Sequence, residues 1–160
     1  LVMRDVDEGD ADHALDAVFI ASSSGEHCRQ IEAALDAGFH VFSEKPLGIS
    51  LDECRTAERA VARSPGKVFM LGFMRRYDPS YKRAKDMVDR GEIGTPILFR
   101  GYSVDPESAI EGAIRFAPTS GGQFLDMSVH DIDLARWMLG GEATTIFAAG
   151  GCYAHPEFAA

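Results

Sequence analysis

Cysteine is scarce in this 160-residue chain: Cys28, Cys54 and Cys152 stand far apart, are odd in number and form no CxxC pair. A thiolate metal site has nothing to build on, and small unpaired thiols point to a reducing, cytoplasmic setting. Long apolar runs are missing as well. None approaches the ~20 residues that a bilayer span needs, and no leader-like segment opens the chain. Positive charge is the minority, with 16 Lys and Arg against 25 Asp and Glu and a formal net charge of −9. Such a chain repels phosphate backbones and anionic lipid surfaces, so nucleic acid and membranes are poor partners, while bulk charge says little about a small-molecule pocket. Repeats and low-complexity tracts are absent too. What remains is an ordinary globular composition, 46% hydrophobic and 26% charged, enough for one domain or parts of two.

The first half alternates between two periodicities. Ala17-Val18-Phe19-Ile20-Ala21 is a short apolar run closed by Ser22-Ser23-Ser24-Gly25, as a strand covered on both faces would be. Residues 26–37 place Cys28, Ile31, Ala34 and Leu35 at helical spacing, and Gly38 stops the helix. Phe39-His40-Val41-Phe42 is a second strand, ended by Ser43-Glu44-Lys45-Pro46. This β-α-β order predicts parallel strands. A helix from Ser50 to about Arg63 and a third strand at Val68–Leu71 continue the pattern. Past residue 75 the elements thin out: a helix from Pro79 to Val88, strand formers from Pro96 to Val104, a polar loop from 103 to 120, a helix from Gln123 to Leu139 and a strand from Thr144 to Ala149. The expected fold class is therefore α/β. A Rossmann-like, doubly wound parallel sheet with an incomplete N-terminal part occupies residues 1–75, and the start of an α+β substrate and oligomerisation domain occupies 76–160. No GxGxxG follows a first strand, and residues 1–16 are too polar and short to supply one, so the sequence reads as part of something longer.

Four places have residues suited to chemistry. Lys45, in Glu44-Lys45-Pro46, ends a parallel strand at the edge where open α/β sheets bind ligands. A lysine there donates to a hydroxyl or carbonyl, or is simply a solvated strand end. Asp126, His130 and Asp133 are spaced i, i+4, i+7, one face of a helix. A carboxylate one turn from a histidine fixes its tautomer and suits general acid–base work. The same face also reads as a salt-bridged helix surface or part of a metal site. Ser22, Ser23 and His27 lie in a βα loop that suits a ribose or phosphate, or only caps a helix. Arg75 and Arg76 follow the third strand and bind an anion or a polyol, or face solvent. His13, His40 and His155 lack matching partners and read as surface or structural.

Taken together, these stretches resemble the glucose–fructose oxidoreductase, inositol dehydrogenase and rhizopine catabolism (Gfo/Idh/MocA) family. The resemblance rests on residues 16–21 with His27, 37–47 with their Glu-Lys-Pro, Gly72-Phe73-Met74-Arg75-Arg76-Tyr77-Asp78-Pro79, Gly91-Glu92-Ile93-Gly94, and Gly121-Gly122 through Asp133. The 72–79 stretch looks particularly like the inositol dehydrogenase branch. The resemblance implies an NAD- or NADP-dependent dehydrogenase acting on a secondary hydroxyl of a cyclic polyol or sugar. Lys45, Asp126 and His130 would be catalytic and Arg75 and Asp133 would bind substrate. Ser22, Ser23, His27, Glu44, Lys45 and Pro46 would lie along the cofactor, and no metal takes part. It also implies a homo-oligomer, dimer or tetramer. A non-catalytic dinucleotide- or sugar-binding regulator of the same fold is the alternative.

Overall fold

A computed structural model describes residues 15–159. His13 and most of the polar opening stretch lie outside the described residues. The chain divides into two units, one running to Gly72 with Thr119–Gly121, the other taking Phe73–Pro118 and Gly122 onward.

The first unit is built on three parallel strands, β1 (Ala17–Ile20), β2 (His40–Glu44) and β3 (Phe69–Gly72), hydrogen-bonded in that order. Helix α1 (His27–Asp36) connects β1 to β2 and helix α2 (Leu51–Ala62) connects β2 to β3. Register aligns Val18 with Val41 and Phe69, and Ile20 with Ser43 and Leu71, so one sheet face gathers these side chains under the helices. Ile20, Ile31, Val41, Ala57 and Ala60 are all exposed by 2% or less and form the centre of this core. Each fully buried isoleucine contributes about 1.5–3 kcal/mol. The small Ala57 and Ala60 let α2 lie close to α1. The other sheet face carries Phe19, Phe42 and Met70 in register. Phe19 stacks on Phe42 at 4.4 Å between ring centroids yet stays 65% exposed.

Local signals set the helix ends. Gly38 takes φ 86°, and its N–H reaches the Leu35 carbonyl while Phe39 N–H reaches that of Ala34, which closes α1. Ser50 caps α2 by accepting the Glu53 N–H at 3.2 Å, and the Glu53 carboxylate accepts the Ile49 N–H at 2.7 Å. Between β2 and α2 the Lys45–Pro46 peptide is cis.

The second unit is helical. Helix α3 (Pro79–Asp89) starts with proline in its first turn, and Asp78 accepts from the Ser80 and Tyr81 amides. Helix α4 (Ile110–Phe116) lies inside the stretch expected to be one long loop. Pro106 and Pro118 bound this helical stretch without entering α4, because proline is tolerated outside a helix interior. A π-helical segment, Phe124–Ser128, leads into α5 (Val129–Leu139), and Gly140 at φ 69° ends it. The strands expected at 96–104 and 144–149 do not form among the described residues. A strand exists only with a hydrogen-bonding neighbour, and both segments run unpaired, with Ile97 and Phe147 more than 90% exposed.

Candidate active site

In the first unit the loops that follow β1 and β2 leave the same, carboxyl-terminal edge of the sheet. Lys45 is half-buried immediately after β2. Glu44, the last residue of β2, pairs in register with Gly72 of β3. A Cβ on Gly72 would sit 3.0 Å from the Glu44 carboxylate and 3.1 Å from the Phe42 ring, so the glycine makes room for the acidic side chain. Pro46 is buried.

The loop after β1 splits the residues proposed to meet a cofactor. Ser22 turns its hydroxyl inward, donating to the buried Gln30 carboxamide at 2.6 Å. Ser23 is exposed and extended at φ −66°, ψ 142°, just ahead of the helical turn Ser24–Glu26. His27 is 1% exposed, with Nδ1 2.7 Å from the Pro46 carbonyl oxygen and Nε2 3.0 Å from that of Ser22. Both ring nitrogens therefore face backbone carbonyls of the two loops. The residues present fit part of a nicotinamide dinucleotide site: an exposed serine and glycine run into a helix at the binding edge of a parallel sheet, next to a lysine and an acid.

The second unit holds the remaining residues. His130 is 8% exposed in the first turn of α5, and its Nδ1 atom is shielded from solvent. Asp126 lies in the π-helical segment, where backbone bonds run i→i+5. His130 and Asp133 share the α5 face expected from their i, i+3 spacing, and Asp126 precedes them in the wider turn.

Asp133, 4% exposed at its side chain, accepts both arms of Arg76, at 2.8 and 2.6 Å. That guanidinium also lies 6.0 Å from the centroid of Phe73 and 5.6 Å from that of Trp137. The Asp133 hydrogen bond raises the Arg76 pKa further, so the cation is permanent. Arg75 pairs elsewhere. Its Nη1 reaches Asp131 at 2.8 Å, its Nη2 reaches the Ser103 hydroxyl at 2.9 Å, and Ser103 in turn donates to Asp131 at 2.5 Å. Gly101 permits this closure, since a Cβ there would come within 2.9 Å of the Asp131 carboxylate. Asp131 and Ser103 were not evident in the sequence. Neither has a spacing signal, and only the fold brings Ser103 to α5. The triad neutralises Arg75 locally and offers paired donors and acceptors, which suits hydroxyl groups better than an anion.

Among the described residues no cluster of three or more His, Cys, Asp or Glu is placed to hold a metal ion, and no helix is long and apolar enough to cross a membrane.

Two sequence profiles of one family match consecutive parts of the chain. Residues 2–73 match "Oxidoreductase family, NAD-binding Rossmann fold", and residues 81–159 match "GFO/IDH/MocA C-terminal domain". The chain belongs to the Gfo/Idh/MocA oxidoreductase family. An oxidoreductase of Bacillus subtilis, YrbE, is 45% identical over 92% of this chain and 42% of its own length. The scyllo-inositol 2-dehydrogenase (NAD(+)) of the same organism is 40% identical over 91% of this chain and 41% of its own. The crystal structure of scyllo-inositol dehydrogenase from Lactobacillus casei with bound NAD(H) and scyllo-inositol is 51% identical, with a TM-score of 0.72, over 81% of this chain and 39% of that one. This Gfo/Idh/MocA chain thus spans about two fifths of the length of the relatives it matches. The Rossmann-like reading of its first half and the family reading of the whole are both borne out.

Proposed function

We propose that the intact protein is an NAD(P)-dependent dehydrogenase that oxidises a secondary hydroxyl of an inositol-like cyclic polyol or sugar. The family match on both parts of the chain, with relatives named as inositol dehydrogenases, carries this reading. The electrically balanced Arg75–Asp131–Ser103 cluster supports a neutral, hydroxyl-rich substrate.

In this reading bound nicotinamide supplies the hydride acceptor. His130 takes the hydroxyl proton as the C–H bond breaks, and Asp126 favours the protonated ring that results. Lys45 donates to the reacting oxygen, orienting it and stabilising the charge that develops on it. Arg75 grips a neighbouring hydroxyl. Asp133 contributes only through lone pairs that Arg76 leaves open. Ser23, Glu44 and Pro46 lie along the cofactor, and copies of the protein associate as a dimer or tetramer.

The test is reduction of NAD+ or NADP+ by the intact protein with myo- and scyllo-inositol, read by absorbance of the reduced nicotinamide. His130→Ala should lower kcat by about 10²–10⁴, the usual worth of general acid–base catalysis. Wild-type turnover in that variant would end the assignment of His130 as base.

A further inference from the structure

The buried ring of His27 is placed unlike any other histidine among the described residues. It opens α1 and touches both loops at the carboxyl edge of the sheet: the Pro46 carbonyl after β2 at 2.7 Å and the Ser22 carbonyl after β1 at 3.0 Å. A neutral imidazole has one N–H to give, and the shorter contact, to Pro46, takes it. The first loop is held by a second residue of the same helix, since Gln30 accepts the Ser22 hydroxyl. The peptide one residue beyond Lys45 is thus fastened to the helix by a rigid, solvent-excluded ring.

The far side of the same loop is fixed independently. The Glu53 carboxylate accepts the Ile49 N–H, and Gly48 sits so close to Glu53 that a Cβ would meet that side chain at 2.7 Å. Lys45 itself therefore opens a six-residue loop, 45–50, that is held at two points beyond it, His27 at Pro46 and Glu53 at Ile49. A buried carbonyl needs a donor in any fold, but a backbone N–H or a water would serve that need. A ring nitrogen in a fixed position also sets where the loop lies.

We propose that His27 is a positioning residue: through Pro46 it fixes the backbone from which Lys45 projects, while Gln30 of the same helix holds Ser22 in the loop expected to meet the cofactor. This rests on the reading of Lys45 as the residue that orients the reacting oxygen.

The experiment compares His27→Leu, His27→Asn, His27→Gln and Lys45→Met in the intact protein, at a temperature where circular dichroism shows each to be folded. Steady-state kinetics with NAD+ and myo-inositol are paired with hydrogen–deuterium exchange of the 44–49 segment in the absence of cofactor and substrate. Misplacing a catalytic group by about 1 Å costs up to about 10²-fold. His27→Leu should therefore lower kcat about 10- to 100-fold, leave the KM for NAD+ within about 2-fold and speed exchange at 44–49. Asparagine puts an N–H near the Nδ1 position and should restore most of kcat and of the protection. Glutamine reaches the Nε2 position instead and should not. Wild-type kcat and exchange in folded His27→Leu would overturn the proposal, as would equal losses in the Asn and Leu variants. If the Leu variant does not fold, the Asn–Gln pair decides: indistinguishable kcat and exchange in these two overturn it, and recovery by Asn alone supports it. Full turnover in Lys45→Met would overturn the reading of Lys45 and this proposal together. An inactive Lys45→Met beside a fully active His27→Leu would overturn the brace alone.

Discussion

Replacing Arg76 by methionine isolates the ion pair that pins α5. Methionine keeps an unbranched stem between Phe73 and Trp137 and removes the guanidinium. Asp133 would then keep its charge at 4% side-chain exposure, having lost hydrogen bonds of 2.8 and 2.6 Å. Breaking a buried pair from one side costs about 3–5 kcal/mol. Arg76, however, is 39% exposed, so solvent already shares its charge and water can follow the vacated path. Discounting for that screening leaves about 2–3 kcal/mol. Urea unfolding followed by the fluorescence of Trp137, which sits beside the substitution, measures it. Arg76→Lys should recover part of the loss, because an ammonium gives no parallel fork and stacks poorly. The double variant Arg76→Met with Asp133→Leu should be more stable than Arg76→Met alone, since it leaves no orphaned carboxylate. A loss below about 0.5 kcal/mol in Arg76→Met, the level of a surface pair, would refute the reasoning, as would a double variant worse than the single.

Other outcomes follow from single contacts. Gly48→Ala should cost about 1–3 kcal/mol in thermal or urea unfolding, because its new methyl group meets the Glu53 Cβ at 2.7 Å and the Cys54 backbone nitrogen at 3.3 Å. Ser50→Ala should cost about 1 kcal/mol by removing the cap of α2. Alkylation followed by mass spectrometry should label exposed Cys152 well before the other two thiols. Burial, with smaller pushes from Glu32 and Glu53, raises Cys28, and burial with Glu53 raises Cys54. As pH climbs past the ordinary thiol value of about 8.5, the unfolded chain loses these protons first and binds fewer than the native state. Stability should therefore fall in that range, less so in Cys28→Ser compared with its own neutral-pH value, as measured by unfolding midpoints across alkaline pH.

The β-α-β portion was legible because its information is local. Ala17–Ile20 and His40–Glu44 are apolar runs with turn residues at their ends, and Cys28, Ile31, Ala34 and Leu35 repeat at the helical period on the buried face of α1. The 96–104 and 144–149 segments have equally good strand composition but find no neighbour to bond among the described residues, and composition does not say whether a neighbour is there. The π-helical turn was hidden for a related reason. One wide turn changes the angular step between residues, and the even spacing of Asp126, His130 and Asp133 gives no sign of it. The candidate site was readable as residue types, Lys45 and His130 above all. Its wiring was not: neighbouring arginines choose different aspartates, Arg75 taking Asp131 and Arg76 taking Asp133, through contacts 56 and 57 residues apart in the chain.

The stacked Phe19 and Phe42 have a practical consequence for anyone working with the first unit by itself. Parallel sheets are normally shielded from water on both sides, yet among the described residues helices cover one side while an aromatic pair shows on the other. A piece cut at Gly72 should bind hydrophobic dyes along that side. A lysine at position 19 is the first edit for an NMR sample, since that ring is two-thirds in water already and its loss removes little from the core.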